Sequence, residues 1–314
     1  MAAEVGRREE RLNPGEIFRN NAFIIITEML ELQNQTEKDT TMLVDEILHS
    51  ILFLGKIHDP PFSPLAIFDD DEEMLNVLKG DYPRPFALYS SQIPRRSPFS
   101  CVLDMMVHVS GQDNEEGIKN RLQEFTNQLK KGANSQLLFC STMCVSHINE
   151  PNSVRYYGVS MSNAGRKSGR ILVNAACCSA WDDYVAGAVM TFYPKRAKRP
   201  NFDGTIRLPE GVTCQAFGLS DGREKPPCRS CATLFGFQTT ATESWANGNC
   251  AEVESLSNLF KNENHIKEQA RPLSETWTEG ARQTVKEEVL RDLKNLLKAV
   301  KFEWENNFYT PQIN

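Results

Sequence analysis

The chain has 314 residues, 40% of them hydrophobic and 24% charged, with a formal net charge of −6. This is ordinary globular material, enough for one large domain or two modest ones, and its acidic balance opposes wholesale wrapping of nucleic acid, whose phosphates favour a basic surface. The most apolar runs, Ala22 to Ile26 and Ile47 to Leu54, are short and bounded by Glu28, Glu31, Asp45 and Glu46, which excludes a membrane-spanning helix there.

In chain order, Met1 to Arg11 carries Arg7, Arg8, Glu9, Glu10 and Arg11 with no apolar core behind it, so no secretory signal is expected. The odd count of nine cysteines fits a reducing, cytoplasmic compartment where thiols stay free or bind metal. Pro14 and Gly15 precede Ile17, Phe18, Ala22, Ile25, Met29 and Leu32, whose spacing predicts a helix with one buried face. A second helix from about Glu37 carries Met42, Leu43, Ile47, Leu48, Ile51 and Leu54 and ends at Gly55 and Pro60-Pro61, completing a helical hairpin. Asp69-Asp70-Asp71-Glu72-Glu73 opens a short helix at Met74, where negative charge favours the helix N-terminus and predicts capping rather than metal binding. Val102 to Ser110 reads as a strand, and Asn114 to Lys130 as a polar helix buried through Ile118, Leu122, Phe125 and Leu129.

From Gln136 the texture turns to β-rich runs, Gln136 to Ile148, Val154 to Met161 and Arg170 to Cys178, separated by turn residues. Ala180 to Phe192 has helical periodicity, and Val212 to Leu219 reads as a strand leading toward Cys228. Thr278 to Trp304 is a long amphipathic helix through Val285, Val289, Leu293, Leu296, Leu297 and Val300, and Phe308-Tyr309 covers an edge or a neighbour. The organisation expected is therefore a mainly helical region, 1–135, followed by an α/β domain, 136–314, with a mixed sheet flanked by helices.

Chemistry concentrates late in the chain. Cys228 and Cys231 stand three residues apart in Pro227-Cys228-Arg229-Ser230-Cys231, a spacing that lets both sulfurs reach one metal from the first turn of a helix, and Cys250 supplies a third. Three thiolates leave one tetrahedral position of a zinc ion open for water, the arrangement of a catalytic site. Glu252, two residues past Cys250, is placed to take a proton from that water as general base. Cys101, Cys140, Cys144, Cys177, Cys178 and Cys214 sit in apolar contexts and read as small buried hydrophobes, and His147 and His265 are not expected as ligands.

The pairing of Cys-x-Glu with Pro-Cys-x-x-Cys resembles the signature of the cytidine deaminase-like superfamily. The resemblance covers Lys225 to Leu234 and Gly248 to Leu259 closely, and extends loosely over the elements from about residue 154 onward. The order of the motifs is reversed: in the family Cys/His-x-Glu precedes Pro-Cys-x-x-Cys, and here it follows. The resemblance implies a deaminase-like fold and a zinc-dependent hydrolytic deaminase acting on a cytosine- or adenine-type base in a nucleoside, nucleotide or nucleic acid. It also implies zinc on Cys228, Cys231 and Cys250, with Glu252 catalytic. Trp245 or Phe235 would offer a stacking wall, and Asn247 or Asn249 a hydrogen bond to a base edge. The alternative is a non-enzymatic zinc-stabilised interaction scaffold, in which Cys214 closes a four-sulfur shell.

One basic cluster stands apart from the acidic whole. Lys195, Arg196, Lys198 and Arg199 follow Phe192 and Tyr193, so a contact with single-stranded nucleic acid, a nuclear address or a plain solvated loop all fit the composition.

Overall fold

The computed structural model describes residues 13–130, 137–195 and 197–312. The charged start from Arg7 to Arg11, Gln136 and Arg196 lie outside them. The molecule is a mixed α/β structure, a four-stranded antiparallel sheet with helices around it.

Before the sheet the described chain is helical. Helix α1 (Pro14–Gln35) starts where Asn13 accepts from the amides of Gly15 and Glu16 while Glu16 reaches back, a reciprocal capping box. Helix α2 (Thr41–Lys56) is buried nearly all round, although Met42 on its expected apolar stripe faces outward because it lies in the exposed first turn. Short helices α3 (Pro64–Ile67), α4 (Glu72–Asp81) and α5 (Pro83–Leu88) follow, and Asp71 caps α4 through the Met74 amide.

Helix α6 (Pro98–Ser110) occupies the stretch expected as a strand from Val102 to Ser110. Pro98 in the first turn presets helical backbone, and burial of Phe99 to Leu103, Met105 and Met106 on several sides removes the stripe that identifies a helix in sequence. Helix α7 (Glu115–Lys130) buries Ile118, Leu122, Phe125 and Leu129.

The sheet comprises β1 (Thr142–Ile148), β2 (Tyr156–Val159), β3 (Val212–Gly218) and β4 (Glu224–Lys225), in the order β2-β1-β3-β4. Between β2 and β3 run α8 (Arg166–Ser179) and α9 (Asp183–Phe192). Arg170 to Cys178, expected as a strand, is thus helical. Its Ile171-Leu172-Val173 run favours β structure locally, but Ala175 and Ala176 favour helix, and packing against α9 and α13 (Glu279–Ala299) decides the matter.

After β4 come α10 (Arg229–Phe235), α11 (Ala251–Asn262) and α12 (Asn264–Gln269) before α13. Strand residues alternate between the two faces, as the pleat requires: Met143 and Val145 of β1 join the core built from the N-terminal helices, while Cys144 and Ser146 face α11. The C-terminal segment closes the opposite end, where Tyr309 stacks on His49 at 3.7 Å and donates to Asp45 at 2.6 Å.

Helix α11 lies directly on the sheet, and one glycine permits it. A Cβ on Gly158 of β2 would stand 2.2 Å from the Ser255 nitrogen and 2.6 Å from the Ala251 oxygen, both backbone atoms that cannot rotate away. Four polar contacts then fix the seat. Ser255 donates to Tyr156 O at 2.8 Å and pairs with Ser146, Asn258 donates to Tyr157 O, and Glu254 accepts from the Val159 amide. Gly158→Ala is therefore expected to destabilise the protein by about 3 kcal/mol, the upper part of the usual overpacking range. A smaller loss in urea unfolding would mean that the helix shifts freely on its seat.

Candidate metal centre

Two helix starts face each other at the edge of this layer. Cys228 is the N-cap of α10, Cys231 lies within its first turn, and Cys250 is the N-cap of α11. The segment that links the two helices folds back over α10: the Arg229 amide donates to Glu243 O at 2.9 Å, and the Ser230 hydroxyl donates to Trp245 O at 2.6 Å. Gly248 completes the return. Its φ of +90° suits glycine, and a Cβ there would meet Val173 Cγ1 at 2.7 Å.

The result is a cluster of the three sulfurs, all within 4.8 Å of one another, with Cys228 and Cys250 3.5 Å apart. Three sulfurs sharing one tetrahedral metal at ~2.3 Å would lie about 3.8 Å apart, so the spread matches a metal-sized triangle. This group can bind a metal ion. Cys228 and Cys231 are buried and Cys250 is half-buried, so the thiols are shielded except toward one side.

The protons within the triangle are unevenly held. Cys231 and then Cys250, whose thiols point at Cys228, hold that sulfur well below the ordinary thiol range. Cys231 and Cys250 are pushed up in turn, above all by their contact with Cys228. A cation would relieve that competition by neutralising all three, and the positive end of a helix dipole beside each N-cap sulfur acts in the same direction.

Glu252 sits in the first turn of α11, only 5% exposed, and forms part of the wall of a cavity of about 610 Å³. Burial is the main cause that pushes its carboxyl up to about 6. Cys228 and Cys250 share that wall, so the open side of the sulfur triangle and the carboxyl face one chamber. Around it stand Lys225, Glu243 and Asn249, with Trp245 at the mouth, 62% exposed.

Several sequence expectations separate here. Asn249 and Trp245 line the chamber, whereas Phe235 is fully buried against Phe237 in the neighbouring core and is not a wall. Cys214 stands 3.4 Å from Cys144, under α11 beside Ala216 and Ala251, and does not join the triangle. Glu254 points the other way, into the contact with β2. Ser141, Thr142, Ser160 and Asn163 complete the chamber from the ends of β1 and β2. Sequence reasoning missed them because nothing local marks a residue that reaches a site across a sheet.

The basic cluster is partly spent on structure. Arg199 donates to Met190 O and Tyr193 O and pairs with Glu288, and Lys198 pairs with Asp203 at 2.6 Å. Among the described residues of the cluster, Lys195 alone has no ion pair. No described helix is long and apolar enough to cross a membrane.

No family model matches this chain, and neither the curated proteins nor the solved structures give a match.

Proposed function

We propose that this chain is a zinc-dependent hydrolytic deaminase acting on a cytosine- or adenine-type base, with Cys228, Cys231 and Cys250 as metal ligands and Glu252 as the proton carrier. The observation that supports this reading is the shared chamber: Cys228 and Cys250 of the sulfur triangle and the buried Glu252 carboxyl line one cavity large enough for a nucleoside. A zinc ion on the three sulfurs would supply Lewis acidity and make water nucleophilic near neutral pH.

The chain's own groups account for the rest. Glu252 takes one proton from the attacking water and passes it to the ring nitrogen, and a second transfer lets the amino group leave as ammonia. One carboxyl can serve both transfers in turn, as acceptor and then as donor. Its burial keeps bulk water from competing for the proton. Trp245 at the mouth offers an aromatic face to a planar base, and Asn249 a side-chain amide to its edge.

The competing reading, a non-enzymatic zinc-stabilised interaction scaffold, requires a fourth protein ligand. Cys214, the nearest candidate in sequence, is engaged with Cys144. X-ray absorption at the zinc edge separates the two: three sulfurs plus one light atom is expected, and four sulfurs would end the enzymatic reading.

A further inference from the structure

A second cavity, of about 600 Å³, lies away from the sulfur triangle where the ends of α2 and α13 meet the start of α8. Its titratable lining is Lys56, His58, Arg166, Lys167 and Lys301, with Asp59 as the one carboxylate. Four permanent cations around one hollow are unexpected in a chain of net charge −6. None of the four is in an ion pair with a described residue, in contrast to Arg96, Arg155, Arg170, Arg199 and Arg282 elsewhere.

Two backbone features add to the charge. The first intrahelical bond of α8 runs from the Gly169 amide to Gly165 O, so the amides of Arg166, Lys167 and Ser168 have no acceptor within the helix. No acidic side chain occupies that first turn, and Gly165 offers no side-chain cap. On the facing wall Lys301 follows α13 at φ +55°, with the Phe302 amide bonded to Leu297 O. That left-handed position ordinarily takes glycine, so a lysine there carries a conformational cost and contributes its ammonium to the hollow.

We propose that this cavity is a binding site for a small ligand bearing a polyphosphate group. A single carboxylate would leave most of the positive charge unmatched, whereas two or three linked phosphates match it and accept from both ammonium and amide donors. The acidic remainder of the surface repels an extended polyanion, so a compact ligand that fits inside the hollow is favoured over a nucleic-acid strand. The site also connects to the first chamber. Ser160, Met161 and Asn163 line the sulfur-triangle cavity and Ala164 to Ser168 line this one, and the Gly165 amide donates to Asn163 Oδ1 at 2.8 Å. The inference stands independently of the deaminase reading, since it uses none of the cysteines or Glu252.

Isothermal titration calorimetry on the full chain at low ionic strength, with tripolyphosphate, adenosine triphosphate and inorganic phosphate as probes, tests it. One tripolyphosphate per chain is expected, bound more weakly as salt rises and more tightly than inorganic phosphate. Equal affinity for adenosine triphosphate identifies the polyphosphate as the whole determinant, and tighter binding identifies a nucleotide. Absence of binding by both overturns the proposal. Each exposed cation is expected to contribute about 1.5- to 5-fold, so K56S/R166S/K167S together should weaken tripolyphosphate by roughly 3- to 100-fold, and unchanged affinity would overturn the placement. Lys301→Gly guards against loss of fold: it should raise the melting temperature by relieving the left-handed lysine while weakening tripolyphosphate binding, two opposite changes that unfolding cannot produce. Unchanged binding in that variant as well as in the triple variant removes the site.

Discussion

On the proposed deaminase reading, Glu252→Gln is expected to keep the metal and the fold and to lose ammonia release from cytosine- or adenine-bearing substrates by about 10²–10⁴-fold, the usual contribution of a positioned general acid–base group. The amide has nearly the shape of the carboxyl, so the chamber wall and the first turn of α11 are preserved, while the proton acceptor is gone. Among the described residues Glu252 has no ion pair, and its carboxyl is held by burial and by contacts with its own amide and the Cys231 thiol, which a glutamine oxygen can also accept, so the substitution should leave stability almost unchanged. Cytidine, deoxycytidine, adenosine and short single-stranded oligonucleotides serve as substrates, with metal content measured in parallel. Activity equal to the parent's would remove Glu252 from the mechanism. Failure of the parent to release ammonia from any of these substrates would count against the deaminase reading itself.

Replacing any one of Cys228, Cys231 or Cys250 by serine should weaken metal binding by more than about 100-fold, since changes even to groups behind a ligand typically cost 10- to 100-fold. The three sulfurs are not equivalent in their surroundings. Cys228 and Cys250 tie two separate helix starts together, so metal loss should loosen α10 against α11, and metal binding adds directly to folding free energy. The parent's melting temperature should therefore fall with chelator, and the melting temperature of each serine variant should not respond to it. Full metal retention in one variant, measured by elemental analysis, would show that its cysteine is not a ligand. Cys144→Ser and Cys214→Ser are the controls, because their sulfurs pair with each other beneath α11. Both should hold metal as the parent does.

The reach of local sequence is clearest where a residue's neighbours in the chain are also its neighbours in space. Cys228 and Cys231 lie within one helical turn, and Cys250 and Glu252 within another, so each half of the centre could be read from spacing alone. The same holds for α1, α7 and α13, whose buried residues recur on one face, and for Asp71, whose capping contact spans three residues.

Elsewhere that signal was too narrow to read. Val102 to Ser110 and Arg170 to Cys178 each carry only a thin polar stripe, Asp104 with His108 and Arg170 with Asn174, and the apolar runs between, Met105-Met106-Val107 and Ile171-Leu172-Val173, resemble strand locally. Only the tertiary structure joined the halves. The close approach that Gly158 permits seats α11 on the sheet, the return through Gly248 brings Cys250 to Cys228, and the ends of β1 and β2 supply the far wall of the chamber. The basic hollow was equally invisible, because Lys56, Arg166 and Lys301 belong to three distant segments, and no local pattern records that three helix ends will meet.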